Sequence, residues 1–322
     1  MSADPQAPAG EAAPTDIRPG DAVPASWVDV MPAAVRPYLR LMRLDRPIGV
    51  WLLFWPCVFG LALGAGAEGR AMPNLLYVLL TGIGSIVMRG AGCTYNDIVD
   101  RDFDARVART RGRPIPSGAV GVRTAWAFAI ALSLTGFAVL VSFNRFAILV
   151  GVTSLFFIAC YPFMKRITFW PQAVLGLAFA YGGLMGWAAA MGSLAWPAVL
   201  IYASAIAWTI AYDTIYALQD VRDDIAIGVK STARLFGKNV QLAVGVLYAS
   251  SSIFAAIAAF LSGAGLWTLV GIGGFSLHLI WQTNQISEKI STEKALFLFR
   301  SNRDAGLLMC SGFLAQSIIN GL

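Results

Sequence analysis

Residues 47–67 read PIGVWLLFWPCVFGLALGAGA, 21 consecutive positions without a charged side chain. A helix rises about 1.5 Å per residue, so a run of this length covers the roughly 30 Å of hydrocarbon in a bilayer. Eight further apolar runs follow at 72–97, 122–143, 146–164, 171–192, 195–219, 239–262, 265–284 and 304–321. The chain therefore reads as an all-α, polytopic membrane protein with nine transmembrane helices, and the short connections within 122–164 and 171–219 require tight hairpins. Composition agrees. Of 322 residues 57% are hydrophobic and only 13% charged, with a mean hydropathy of +0.65, too few charges to cover a water-facing surface. The four cysteines, Cys57, Cys93, Cys160 and Cys310, lie singly in apolar runs without a CxxC pair. They read as small core residues, not a disulfide framework or a zinc site.

Residues 1–35 differ in kind. They begin MSADPQAPAGEAAPTDIRPGDAVPASWVDV, rich in Ala, Pro, Gly and Asp, and match neither a secretory signal nor an Arg-rich transit peptide. This stretch is expected to be a disordered tail, with residues 36–322 forming one intramembrane domain.

The net charge of +6 is explained by topology. With a cytoplasmic N-terminus and nine spans, 21 of the 24 lysines and arginines fall on the cytoplasmic side, Arg70 and Arg145 fall opposite, and Arg89 lies inside a span. A different number of spans scrambles that segregation, so the positive-inside rule supports nine helices with the C-terminus outside. No nucleic-acid partner is implied. The setting expected is a bacterial inner membrane, with the N-terminus and the basic loops cytoplasmic.

Acidic residues are distributed differently. Five of the 18 sit in the tail and eight in two short segments, Tyr95-Asn96-Asp97-Ile98-Val99-Asp100-Arg101-Asp102-Phe103-Asp104 and the stretch from Asp213 to Asp224. Each segment closes an apolar span at the cytoplasmic side. At 100° per residue Asp97, Asp100 and Asp104 fall within about 80° of one another, and Asp213, Asp220 and Asp224 fall within a similarly narrow arc. Stacked carboxylates repel, and a helix C-terminus adds partial negative charge, so a cation must sit among them. Mg2+ suits an all-oxygen set that leaves positions for substrate phosphates. A single acidic loop could be mere solvated charge; two at matching span ends argue for a shared site. Asn96-Asp97-x-x-Asp100 and Gln219-Asp220-x-x-Asp223 also share a pattern, each followed by a basic loop, which suggests two related helical halves. Those loops carry Arg106, Arg109, Arg111 and Arg113, then Lys230 and Arg234. Such cations can bind a pyrophosphate, although positive-inside charge alone explains some of them.

Asn96-Asp97-x-x-Asp100-x-x-x-Asp104 with the following Arg-Thr-x-x-Arg-Pro, and Tyr216-Ala-x-Gln-Asp220-x-x-Asp223-Asp224 with the following Gly-x-Lys-Ser-Thr, resemble the two aspartate-rich motifs of the UbiA superfamily of intramembrane aromatic prenyltransferases. Arg43-Leu-Asp45-Arg46-Pro47-Ile-Gly49, Asp213-Thr-Ile-Tyr216 and Phe299-Arg-Ser301-Asn302 are similar, more narrowly, to the 4-hydroxybenzoate-prenylating branch. The resemblance covers nearly everything after residue 36. It implies nine helices around a central cavity, a polyprenyl diphosphate donor held through Mg2+, and an aromatic acceptor, 4-hydroxybenzoate, alkylated ortho to its hydroxyl on the way to ubiquinone.

On that resemblance Asp97, Asp100, Asp104, Asp220 and Asp224, with Asn96, hold magnesium against the diphosphate, while Arg109, Arg113 and Lys230 neutralise the departing charge, where preorganised cations lower the barrier most. Arg43 is the candidate for the acceptor's carboxylate. Asp213 or a first-motif aspartate would take the ring proton. Tyr216, with Tyr95 and Tyr212, could stabilise an allylic cation through ring faces, or belong to an interfacial belt. His278, the only histidine, shares a helix face with Trp281 and reads equally well as packing. Rival readings are a family member with another acceptor, such as a naphthoate, haem or chlorophyllide, and a secondary transporter. The transporter is the weaker rival, because these acids close spans beside basic loops instead of sitting at mid-membrane.

Overall fold

The computed structural model describes residues 25–107, 110–221, 225–226, 228–287 and 290–321. Its long helices fall where the apolar runs lie. They are α2 (Ile48–Ala67), α3 (Leu75–Asp104), α4 (Val122–Leu140), α5 (Arg145–Ile167), the pair α6 (Pro171–Phe179) and α7 (Gly182–Met191), α8 (Trp196–Ala217), α10 (Val240–Leu261), α11 (Leu266–Asn284) and α13 (Asn302–Gly321). Shorter helices α1 (Arg36–Leu41), α9 (Thr232–Phe236) and α12 (Thr292–Arg300) join them at one end. Among the described residues no strand occurs.

Seven stretches are long and apolar enough to cross a membrane, α6 and α7 counting together. The two other expected spans, α11 and α13, form as helices but carry more polar residues, among them His278, Gln282, Asn302 and Gln316. Helices thus stand at all nine expected places, but seven of them are long and apolar enough to cross, so the count of nine crossings is not confirmed.

Packing follows from small residues. Helix α2 runs against α7, α3, α8 and α13, and α8 in turn packs on α6, α10 and α12. Gly182 and Gly186 of α7 stand one turn apart against Cys57, and a Cβ on Gly186 would collide with the Cys57 carbonyl oxygen. Gly271 and Gly312 do the same for α11 and α13, where a Cβ on either lies 2.6 Å from the other's Cα. In lipid, which offers no hydrophobic drive for helix association, such close backbone approach supplies the dispersion contact that holds helices together. Trp187, Trp208, Tyr212, Phe59 and Phe275 fill the core between them.

The ends sort as an alternating topology demands. Asn144 donates to the carbonyls of Ala188 and Ala189 at 2.9 and 3.0 Å, and Arg70 to that of Ala190 at 3.1 Å. The connections after α2, α4 and α7 therefore gather at one end. At the other, Lys165 reaches Asp100 and the Lys230 N–H donates to the Lys165 carbonyl.

Three expectations are corrected. Residues 25–35 depart from the expected tail, because Trp27–Val30 form a 3-10 turn with Ser26 closing a capping box. That turn is fastened by Trp27 Nε1 to the Leu44 carbonyl at 3.2 Å and by Asp29 to Arg40 at 3.2 Å. The run at 171–192 is broken at Ala180–Tyr181, where the glycine face of α7 turns onto α2. Finally, Asp213 and Asp220 do not share one helix face. Helix α8 stops at Ala217 because Leu218, Gln219 and Asp220 donate to the carbonyls of Ile215, Tyr216 and Ala217, a tightening of the last turn that sends the chain off the helix. Asp224 lies outside the described residues.

Candidate active site

The first acidic segment stays helical to its end. Helix α3 runs through Asp104, so Asp97, Asp100 and Asp104 project from one face as their spacing requires, all three nearly inaccessible. None is left as a bare charge. Arg43 Nη2 lies 2.6 Å from Asp97 Oδ1, and Arg113 Nη1 bridges Asp97 Oδ1 at 3.1 Å and Asp104 Oδ2 at 2.7 Å. Asp100 faces Lys165 at 2.5 Å and Arg166 at 3.3 Å. Burial alone would favour a neutral Arg113, but the carboxylates of Asp97 and Asp104 more than offset this and raise its pKa. Arg43 is the only non-glycine residue with positive φ among those described, at 59°. Its strained backbone is held by side-chain bonds to Asp97 and to the Arg40 carbonyl. The residue expected to receive the acceptor is thereby committed to the first acidic segment.

Two adjoining cavities meet beside these groups; Asp97 lines neither and touches them through Arg43 and Arg113. The smaller, about 210 Å³, is polar and lined by Asp100, Asp104, Arg113, Lys165, Asp220 and Lys230, among others. The larger, about 430 Å³, runs into the apolar interior between α2, α3, α4 and α5. Asn96, Arg113, Tyr161, Pro162, Asp213 and Tyr216 line both. The structure thus brings Asp100, Asp104 and Asp220 into one chamber although they belong to segments more than a hundred residues apart. Tyr216 packs on Phe299 with ring centroids 4.7 Å apart and the planes tilted by 49°, and Tyr212, buried against Trp208, also lines the larger cavity. Tyr95 is not brought in; its hydroxyl donates to the Ala159 carbonyl and its ring packs on Trp126. His278 packs on Trp281 and meets Ser301 at 3.2 Å. Arg109 lies outside the described residues.

Four lining residues carry little signal in the sequence. Lys165 looks like topological charge, and Tyr161 and Gln172 lie in an unremarkable stretch. Arg89 is a lone cation inside a span, and intramembrane charge is costly enough to signal function. It lines the larger cavity, lies over the Phe179 ring at 5.1 Å and has Asp213 as an electrostatic neighbour.

The donor set suits a hard divalent cation: carboxylates only, with Asp97 Oδ2 buried and lacking a hydrogen-bond partner. Among the described residues no three acids are already gathered around one point. Arginine and lysine occupy the carboxylates instead.

Residues 53–303 match the model of the UbiA prenyltransferase family. The chain is 42% identical over 307 residues to a protein of Drosophila pseudoobscura pseudoobscura named 4-hydroxybenzoate polyprenyltransferase, mitochondrial, covering 95% of this chain and 75% of that one. It is 40% identical over 301 residues to the human protein of the same name, covering 91% and 79%. Among solved structures it is similar to the apo structure of a UbiA homolog from Aeropyrum pernix K1, with a TM-score of 0.66 at 25% identity over 80% of this chain and 97% of that one. It also shares its fold with a UbiA homolog from Archaeoglobus fulgidus bound to GPP and Mg2+, at a TM-score of 0.60, 20% identity and 87% and 99% coverage. The two named relatives are mitochondrial, which does not support the bacterial inner membrane expected from the sequence.

Proposed function

The chain belongs to the UbiA prenyltransferase family, and from that premise we propose that it transfers a polyprenyl group from polyprenyl diphosphate to 4-hydroxybenzoate, ortho to the hydroxyl, in a Mg2+-dependent reaction of ubiquinone biosynthesis. The observation that carries this reading is a charged chamber opening into an apolar one, with six residues common to both. A substrate with a diphosphate head and a hydrocarbon tail has that same division.

Asp97, Asp100, Asp104 and Asp220, with Asn96 beside them, are the residues to hold the metal, and Asp224 joins them by sequence. Bound there, Mg2+ supplies Lewis-acid stabilisation of the charge that develops on the diphosphate. Arg113 and Lys230, with Arg109 by sequence, meet the same charge through hydrogen-bonding cations. Heterolysis of the C–O bond leaves the electron pair on the diphosphate and an allylic cation in the apolar cavity. There the faces of Tyr216 and Tyr212 favour it and the hydrocarbon lining keeps water away. We assign the acceptor's carboxylate to Arg89, since Arg43 is taken by Asp97. Attack by the ring carbon ortho to the hydroxyl forms the new C–C bond, and Asp213, at the junction of the cavities, accepts the ring proton.

Residues 36–322 act as one intramembrane unit in this reading, crossing the bilayer nine times with the acidic chamber on the positively charged face. Purified protein with Mg2+ is expected to join a prenyl diphosphate to 4-hydroxybenzoate, and EDTA to stop it. Asp97→Asn and Asp220→Asn should each lower turnover by about 100-fold or more while the protein remains inserted. Full activity in both variants would overturn the site assignment, and turnover only with a naphthoate acceptor would overturn the substrate.

A further inference from the structure

The arginines lining the larger cavity are seated in two ways. Arg43 and Arg113 lie against Asp97, and Arg46 lies against Asp45. Arg89 has a different seat. Among the described residues it forms no ion pair, and its Nε is buried without a hydrogen-bond partner. Its guanidinium carbon stands 5.1 Å from the ring centroid of Phe179, the last residue of α6, and its far end lies against Gly49 in the first turn of α2. A ring face attracts a guanidinium without neutralising it, so the fork keeps its donors for an anion in the cavity.

Gly49 makes this seat possible. It is buried, and a Cβ at this position would lie 2.8 Å from Arg89 Cζ and Nη2 and closer still to Nε. The backbone does not require glycine here, since Gly49 is not among the glycines with positive φ. What the missing side chain supplies is room for the guanidinium. The atoms in the way are the end of a flexible side chain, so an alanine displaces the guanidinium and leaves the helices where they are.

The placement suits the aromatic acceptor. Arg89 lies two helical turns before Asn96 on the same face of α3, and Asn96 stands where the two cavities join. Seven helical residues span roughly 10 Å, an interval that one benzoate ring, its para hydroxyl and a hydrogen bond at the carboxylate fill. Arg89 does not line the polar chamber, which makes the diphosphate the wrong anion for it.

We propose that Gly49 is a positioning residue that sets acceptor specificity: by leaving the space of one side chain empty, it seats the Arg89 guanidinium on Phe179, where the fork takes the acceptor's carboxylate and favours it over neutral phenols. The inference rests on the assignment of that carboxylate to Arg89.

The test compares kcat/KM for 4-hydroxybenzoate with kcat/KM for its neutral isostere 4-hydroxybenzamide, in the wild type, Gly49→Ala, Phe179→Leu and Arg89→Gln. The wild type is expected to prefer the carboxylate by about tenfold or more. Gly49→Ala is expected to lose about tenfold of that preference through a higher KM for 4-hydroxybenzoate, with KM for the prenyl diphosphate within about threefold of the wild type. Its melting temperature should not fall, because alanine is the better helix former. Phe179→Leu takes away the other side of the seat and decides the matter if Gly49→Ala does not fold; it too should lower the preference. An unchanged preference in the folded Gly49→Ala protein, equal losses for both acceptors, or a loss that lies in the diphosphate KM overturns the role of Gly49. Arg89→Gln separates the two readings. If it abolishes the preference and Gly49→Ala does not, only Gly49 falls. If Arg89→Gln keeps the preference, or slows both acceptors alike as a partner of Asp213 would, the carboxylate assignment itself is wrong.

Discussion

At the scale of single residues, the three buried aspartates of α3 are each paired with a cation, and Arg43 shows how tightly the pairing is enforced. A left-handed backbone at a non-glycine residue costs of order 1–3 kcal/mol, and here it is retained while the guanidinium rests on Asp97. Asp45, two positions on, sits in the same turn beside Arg46. Burial pushes its carboxyl from the ordinary 3.8 up to about 6, with Arg43 pulling the other way. Because the folded value is the higher one, the folded state holds the proton more tightly. This group's stabilising contribution is therefore complete below the ordinary value and is lost as pH rises through the folded one. Melting of the detergent-solubilised protein should decline between pH 5 and pH 7 by a few degrees more in the wild type than in Asp45→Asn, and parallel decline in both proteins would contradict it. The clustering of the aspartates was legible from their density alone. The cations on Asp100 were not, because Lys165 and Arg166 look in sequence like any basic pair at a span end, and only the fold carries them there.

At the scale of elements, the apolar runs located the helices because hydrocarbon leaves the backbone no other way to satisfy its hydrogen bonds. Where helices end or break is decided by local contacts that periodicity does not contain. Helix α3 continues to Asp104 and so keeps its three aspartates aligned, whereas α8 tightens after Ala217 and drops Asp220 into a turn. The same patterning could not distinguish Gly186, pressed on the carbonyl of Cys57, from Gly66, which faces open space. Gly186→Ala is expected to cost about 1–3 kcal/mol or more, read as a lower melting temperature in detergent. Gly66→Ala is expected to melt within a degree or two of the wild type; equal behaviour of the two would show that the α2–α7 crossing is looser than described.

At the scale of the whole molecule, the distribution of positive charge and the gathering of loop ends describe the same orientation from independent directions. Arg70 meets the end of α7, while Asp100, Lys165 and Lys230 meet one another at the opposite end. Cysteines introduced at Arg70 and at Lys238, both exposed, should therefore react with a membrane-impermeant thiol reagent from opposite sides of sealed vesicles. Labelling of both from one side would contradict the proposed topology. Composition and charge made this level the most legible, since solvent and membrane potential act on averages. The junction of two cavities is a property of three-dimensional packing, and no spacing of residues announces it.

The central claim is that the two acidic segments serve one shared metal–diphosphate chamber. Binding of Mn2+, used as a paramagnetic substitute for Mg2+, can be counted by electron paramagnetic resonance in the presence of a non-cleavable prenyl diphosphate analogue, in the wild type, Asp97→Asn, Asp220→Asn and the double variant. A shared chamber predicts that either single substitution removes most of the tightly bound Mn2+ and that the double variant is scarcely worse, because both segments hold the same ions. Independent losses that add, with each single variant keeping the complement of the other segment, would mean two separate sites and would contradict the account.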